Sequence, residues 1–205
     1  MKKTFSVVVA LFMLLMLPVV SFSAAPRPYI SGQIGIAFLT DSDLSASDGS
    51  GTIEFDPGFA TSFAGGVNFG MFRVEGEIGY QVNDFDKASI CSGGYCVSGN
   101  ASSGDASALS MLGNFYIDFV NNTPFTPFIT AGMGVARIGL NDIDGHDYDD
   151  TVFAYQVGVG VAFAINKNMN IDLKYRYFAT TDPDFEGIEA EFASHNVYCG
   201  FRYTF

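Results

Sequence analysis

Apolar side chains recur at every second position along much of this chain. In "FAYQVGVGVAF", Phe153, Tyr155, Val157, Val159, Val161 and Phe163 have one parity, while Ala154, Gln156, Gly158, Gly160 and Ala162 have the other. In "MNIDLKYRY" the apolar set is Met169, Ile171, Leu173, Tyr175 and Tyr177, set against Asn170, Asp172, Lys174 and Arg176. Successive side chains of an extended strand point to opposite faces, so this period of two predicts strands rather than helices. Eight such stretches stand out, at residues 28–39, 59–69, 72–81, 108–119, 127–138, 152–165, 169–178 and 193–205.

The connections between them also alternate. Long polar segments at 40–58, 82–107, 139–151 and 179–192 take turns with tight ones near 70–71, 120–126 and 166–168. A soluble sandwich has no reason to keep that order, whereas a membrane barrel with short turns at one end and extended loops at the other requires it. Past residue 23 no apolar run is long enough for a spanning helix. The remaining way to cross a bilayer is a closed barrel, in which every backbone group finds a partner on the next strand. The predicted class is all-β: an eight-stranded antiparallel up-and-down transmembrane β-barrel with short periplasmic turns and long extracellular loops.

The first residues change the picture only at the start. "MKKTFSVVVALFMLLMLPVVSFSA" has a basic beginning at Lys2 and Lys3, an apolar stretch from Val7 to Leu17 and small residues at Ser21 and Ser23, the three parts of a secretory signal. The expected organisation is a cleaved signal peptide at 1–23 and a barrel domain at 24–205. Loss of Lys2 and Lys3 would take the net charge from −12 to −14. So acidic a chain, with charge rare on its strands, is not a nucleic-acid partner.

The chain closes on "HNVYCGFRYTF", where Val197, Cys199, Phe201, Tyr203 and Phe205 form one face. Lipid would cover that face, and the free edge of the strand would pair with the first strand. A terminal aromatic preceded by alternating apolar residues resembles the C-terminal signal of bacterial outer-membrane proteins. Together with "YISGQIGIAF", "TPFITAGMGVARI" and "AFAINKNMNIDLKYRYF", it makes the chain resemble the opacity-protein and OmpA-type eight-stranded barrel superfamily over nearly all of its length after residue 23. The resemblance implies a Gram-negative outer membrane, contact with its lipid and lipopolysaccharide, passage through the barrel-assembly machinery and no cofactor. Since the barrel runs to the last residue, a periplasmic cell-wall-binding domain is not expected. The superfamily spans quite different functions.

Parity sorts the charges. Arg73, Glu75, Glu77, Asp118, Asp172, Lys174, Arg176 and Arg202 project inward, four basic and four acidic. An eight-stranded barrel has an interior about wide enough for side chains to fill, and buried charges persist when paired. A salt-bridged, largely closed lumen is expected, with inward Gly132, Gly134, Gly158 and Gly160 as the places where room for water would remain. The long segments hold 18 of the 22 acidic residues, with Lys87 their only basic one. This acidic crown reads first as a solvated surface. Its sharper reading is divalent-cation binding at Asp142, Asp144, Asp147, Asp149 and Asp150, although the EF-hand spacing is missing. Arg137, at the outer rim, reads as a snorkelling residue or a lipopolysaccharide phosphate contact. Cys91 and Cys96 flank "SGGY" in a loop facing an oxidising compartment, so a disulfide is expected there, closing a loop worth roughly 2 kcal/mol in the chain-entropy model. Cys199 is left over as an apolar filler.

Three functions fit these features. The first is a structural, surface-exposed antigen-like protein whose acidic loops meet cations or a host surface. The second is a small cation-preferring porin, with the crown concentrating cations at its mouth. The third is a lipid-modifying barrel enzyme. It would need a His beside a nucleophile and a carboxylate; His195 next to Ser194 is the nearest approach, and His146 has no evident partner.

Overall fold

The computed structural model describes residues 25–40, 42–46, 49–92, 95–100, 105–143, 146–181, 184–185, 188–189 and 192–205, with side chains placed over 25–40, 56–84, 105–139, 149–181 and 192–205. Residues 1–24, and with them the expected signal peptide, lie outside this description. Eight antiparallel strands form the barrel: β1 (Arg27–Leu39), β2 (Gly58–Asn68), β3 (Phe72–Ser92), β4 (Asp105–Asp118), β5 (Phe125–Ile143), β6 (His146–Ala164), β7 (Met169–Thr180) and β8 (Ala193–Thr204). Each pairs with its neighbours in sequence, and β1 pairs with β8 from Tyr29↔Thr204 to Leu39↔Ser194, which closes the cylinder. Phe205 N adds a hydrogen bond to Pro28 O at 2.9 Å, so the last residue is tied to the first strand. Closure leaves no strand edge inside the bilayer, as lipid demands.

The predicted alternation holds along every wall. Ile34, Phe63, Met111, Met133, Val157 and Leu173 point outward and are more than half exposed. On a soluble protein such a band would be an aggregation surface; here it is the lipid-facing belt. Val197, Cys199, Phe201 and Phe205 also face outward, with Cys199 between Ile34 and Leu173 in register.

At one end the turns are short and locally held. Gly70 takes a φ of 92°, a conformation that favours glycine, and its N–H donates to Asn68 Oδ1 at 2.7 Å. In the β6–β7 turn, Asn166 Oδ1 accepts from the N–H groups of Asn168 and Met169 at 2.9 and 3.0 Å, an Asx arrangement that side-chain amides favour.

At the other end the expected long loops are shorter than the hydrophobic pattern predicts. β3 runs on to Ser92 instead of stopping at residue 81, β4 begins at Asp105, and β5 and β6 meet across residues 144–145. Apolar alternation stops where lipid stops, but backbone pairing continues into water, where neither face must be apolar. Above the membrane, Ser42–Ala46 pairs with Gly49–Phe55, which pairs with the upper part of β3, which in turn pairs with Tyr95–Asn100. The chain therefore extends the barrel wall into a small external sheet.

Candidate functional site

The inward parity of β1 to β8 fills the lumen in layers. Nearest the short-turn end, Arg73 on β3 donates from Nε and Nη2 to the two oxygens of Asp118 on β4, at 2.8 and 2.9 Å. Its guanidinium lies 4.1 Å from the Tyr116 ring centroid and 5.1 Å from that of Phe128, geometry that suits a planar cation on aromatic faces. On the neighbouring wall Arg202 Nη2 meets Asp172 Oδ1 at 3.0 Å.

The next layer holds two carboxylates of unlike surroundings. Glu75 accepts from Tyr29 OH at 2.8 Å, Tyr116 OH at 2.7 Å and Asn114 Nδ2 at 3.1 Å. Its charge is solvated by neutral donors. Glu77, by contrast, meets Arg176 Nη1 at 2.7 Å and Lys174 Nζ at 3.7 Å, and also accepts from Asn114. Glu77 stands on β3 while Lys174 and Arg176 stand on β7, and three strands separate β3 from β7 in either direction round the barrel. This ion pair is therefore a crossbar between opposite walls. Arg176 Nη2 also donates to Tyr198 OH on β8.

Above the crossbar the lumen divides. One side is apolar: Ala108, Leu112, Ala136, Ile138, Val152, Ala154 and Phe178 pack with Phe192, which precedes β8 and turns inward. The other side is a polar chain in which Asn196 donates to Ser194, Ser194 to Gln81 at 3.1 Å, and Gln81 to Asn83 at 3.0 Å. Asn83 in turn donates to the carbonyls of Ala37 and Asp56, both at 3.0 Å. Beside Arg176 and Phe178 a cavity of only 10 Å³ remains, about the space of one water molecule.

The space beside the inward glycines is taken up by neighbouring atoms. A Cβ on Gly160 would lie 2.4 Å from the Phe128 ring, and one on Gly132 would lie 1.9 Å from Asn114 Oδ1. Larger neighbours already use that space: Gly158 sits under Thr130, and Gly134 lies against the Met111 carbonyl. The eight charges picked out by parity are all buried and all inward. What parity applied to charge alone missed is their neutral support: Tyr29, Asn114, Tyr116, Gln156 and Tyr198. All five share the inward parity, so the same count extended to polar uncharged residues would have found them.

Outside the lumen the other candidates separate. Arg137 faces outward and its Nε meets Asp149 Oδ2 at 3.0 Å, an exposed pair, so that nitrogen of Arg137 is already engaged by a carboxylate rather than free for a phosphate. The hydrogen bond from Arg137, and then its charge, hold the Asp149 carboxyl below the usual carboxylate range. A membrane strand needs about 9–11 residues, so Asp149, near the start of the 19-residue β6, stands above the bilayer. A lowered pKa makes the pair's contribution present above the unfolded carboxyl pKa and lost as pH falls through the folded one. Because both groups are exposed, that contribution is small. In an NMR titration, the Asp149 carboxyl midpoint is expected to rise in Arg137→Gln, and an unchanged midpoint would contradict the pairing.

Asp150 Oδ1 accepts from the Thr151 N–H at 2.7 Å. The side chains of Asp142, Asp144 and Asp147 lie outside the described residues. Among the described residues no group of three or more His, Cys, Asp or Glu is placed to hold a metal. His195 faces outward with Nδ1 2.6 Å from Tyr175 OH, whereas Ser194 is buried on the inner face. The two residues thus lie on opposite sides of the wall and cannot act as nucleophile and base. The side chain of His146 lies outside the described residues.

Comparison with known proteins places this architecture. "Outer membrane protein PagN" of Salmonella typhimurium is 37 % identical over 73 residues, 31 % of this chain and 30 % of that protein. "Putative adhesin RC1281" of Rickettsia conorii is 29 % identical over 117 residues, 46 % of this chain and 47 % of that protein. The aligned region thus spans less than half the length of either relative. The solved structure of Neisserial surface protein A superposes with a TM-score of 0.62 at 21 % identity, covering 88 % of this chain and 99 % of that one; at this identity the likeness is one of fold. A family model described as "Outer membrane protein beta-barrel domain" matches residues 7–205. The chain belongs to the outer membrane protein beta-barrel domain family and is a protein of the bacterial outer membrane.

Proposed function

We propose that the barrel is a closed anchor whose work is done by the acidic segments it holds outside the membrane, in a surface-contact role of the adhesin type. The observation that carries this reading is the Glu77–Arg176 crossbar between β3 and β7, at 2.7 Å, backed by the apolar cluster around Phe178 and Phe192. A lumen barred and packed in this way leaves no open path for solutes among the described residues. The strands that continue past the bilayer then become the exposed working surface. One relative bears an adhesin's name, which supports the same reading, as does the separation of His195 from Ser194 against a catalytic one. A cation-preferring pore would need lumen space that the glycines do not provide.

Within this reading the signal at 1–23 is cleaved, and Val197, Cys199, Phe201, Tyr203 and Phe205 present the assembly signal. Lipopolysaccharide and divalent cations or a host surface are the external partners. Cys91 joins Cys96 in a disulfide. Their side chains lie outside the described residues, but their backbones are direct partners in the pairing of β3 with Tyr95–Asn100, and the exterior is oxidising. Alkylation in denaturant is expected to label only Cys199 until reductant is added. Labelling of all three cysteines without reductant would refute the bond.

The surface role is tested by displaying the chain on a non-adherent bacterium and measuring attachment to cultured host cells. Attachment is expected to rise severalfold, and to return to background when the external segments are replaced by short turns on an intact barrel. Equal attachment with and without those segments would overturn the proposal.

A further inference from the structure

At the short-turn end of the barrel the lumen opens outward. A cavity of about 410 Å³ lies there, bordered by Arg27, Asn68, Asp118, Lys167, Asn170 and Arg202, a size within the range of small-molecule sites. Arg27 precedes Tyr29 by two residues and so has the lumen-facing parity.

The charges at this mouth do not cancel. The eight lumen charges are four of each sign, so Arg27 and Lys167 stand in excess of them. The turns at this end, residues 69–71, 119–124 and 165–168, contain no acidic residue. The one carboxylate that borders the cavity, Asp118, has both oxygens taken by Arg73. Arg27 donates to the Lys167 carbonyl at 3.0 Å, which holds its guanidinium at the turn with no carboxylate paired to it among the described residues. In a chain with a net charge of −12, this is a locally cationic opening at the end opposite the acidic crown.

Arg202 also borders this cavity. Its side chain is buried, with 4 % of the residue exposed. One nitrogen meets Asp172, while Nε donates to no acceptor among the described residues. Thr204, Asn68 and Asn170 line the same cavity. A guanidinium beside two further cations, amides and a hydroxyl is the donor set that recognises an oxyanion.

We propose that this periplasmic vestibule is an anion site for a phosphate-type group, with Arg202 as the buried anchor and Arg27 and Lys167 as the cations at the rim. The group comes either from a free phosphate ester or from an anionic phospholipid headgroup of the inner leaflet. The chemistry is shared, and the experiment separates the sources.

The test follows the arginine Nε–Hε resonances of ¹⁵N-labelled protein purified folded from outer membranes. One arm uses phosphatidylcholine nanodiscs titrated with inorganic phosphate, and the other uses phosphatidylglycerol nanodiscs without free phosphate. The expected result is a shift of the Arg202 signal, saturable in the phosphate arm or present with phosphatidylglycerol, while that of Arg73, which Asp118 already holds, stays in place. Half-saturation is expected to weaken at least tenfold, or the lipid-induced shift to disappear, in Arg27→Gln/Lys167→Gln, a variant on exposed residues whose unfolding midpoint should not change. A response to phosphate alone assigns the site to free oxyanions, and a response to phosphatidylglycerol alone assigns it to headgroups. No Arg202 shift in either arm, or an unaltered response in the double variant, would overturn the site.

Discussion

Glu77→Ala is expected to destabilise the folded barrel by about 3–5 kcal/mol, the usual cost of stranding a buried charge. Among the described residues Glu77 is the one carboxylate within 4 Å of both Lys174 and Arg176, so its loss leaves two cations facing each other in the lumen. The partner substitution has a very different expected outcome. Lys174 Nζ makes no hydrogen bond among the described residues and sits 3.7 Å from Glu77, while Arg176 and Asn114 hold Glu77 without it. Lys174→Met, which keeps the stem and removes the charge, should therefore cost about 1 kcal/mol or less, since an apolar replacement of similar volume offsets the charge it removes. Urea unfolding in lipid vesicles measures both. Equal losses for the two variants would show that the crossbar does not depend on Glu77 as its hub.

Arg73→Ala is expected to cost a similar 3–5 kcal/mol, for a related reason. It strands Asp118 and removes the cation stacked on Tyr116 and Phe128. Arg73→Lys keeps the charge but loses both the two-pronged contact and the planar stacking, and so should recover only part of the loss. Arg73→Ala followed by Asp118→Asn should recover more, because it removes the stranded charge. Full rescue by Lys would mean that charge alone matters at this position. The same unfolding series decides between these outcomes.

The walls of the barrel were legible because alternation is rigid. Once Asp172, Lys174 and Arg176 fall on one parity and Leu173 and Tyr175 on the other, the inner face of β7 is determined. The strand ends were not legible. Residues 82–92 of β3 read as loop because their pattern lacks an apolar face, although the backbone keeps pairing there. Nor could parity say which charges meet. The Glu77–Arg176 contact joins residues 99 positions apart on opposite walls, so it depends on barrel size and stagger rather than on any local pattern. Phe192 was hidden differently, as one aromatic residue in a polar segment, and only the fold turns it into the lumen beside Phe178. Glycine misled in the opposite direction: a missing side chain suggests room, yet Phe128 and Asn114 occupy it.

In the proposed reading the lumen is barred and the function lies outside it. The most direct test of that reading is single-channel recording of the folded chain in a planar bilayer, at neutral and acidic pH. Silence is expected from fully folded protein, with openings appearing in inserted Glu77→Ala. Steady cation-selective openings of the unaltered chain would contradict that reading and make the barrel a pore.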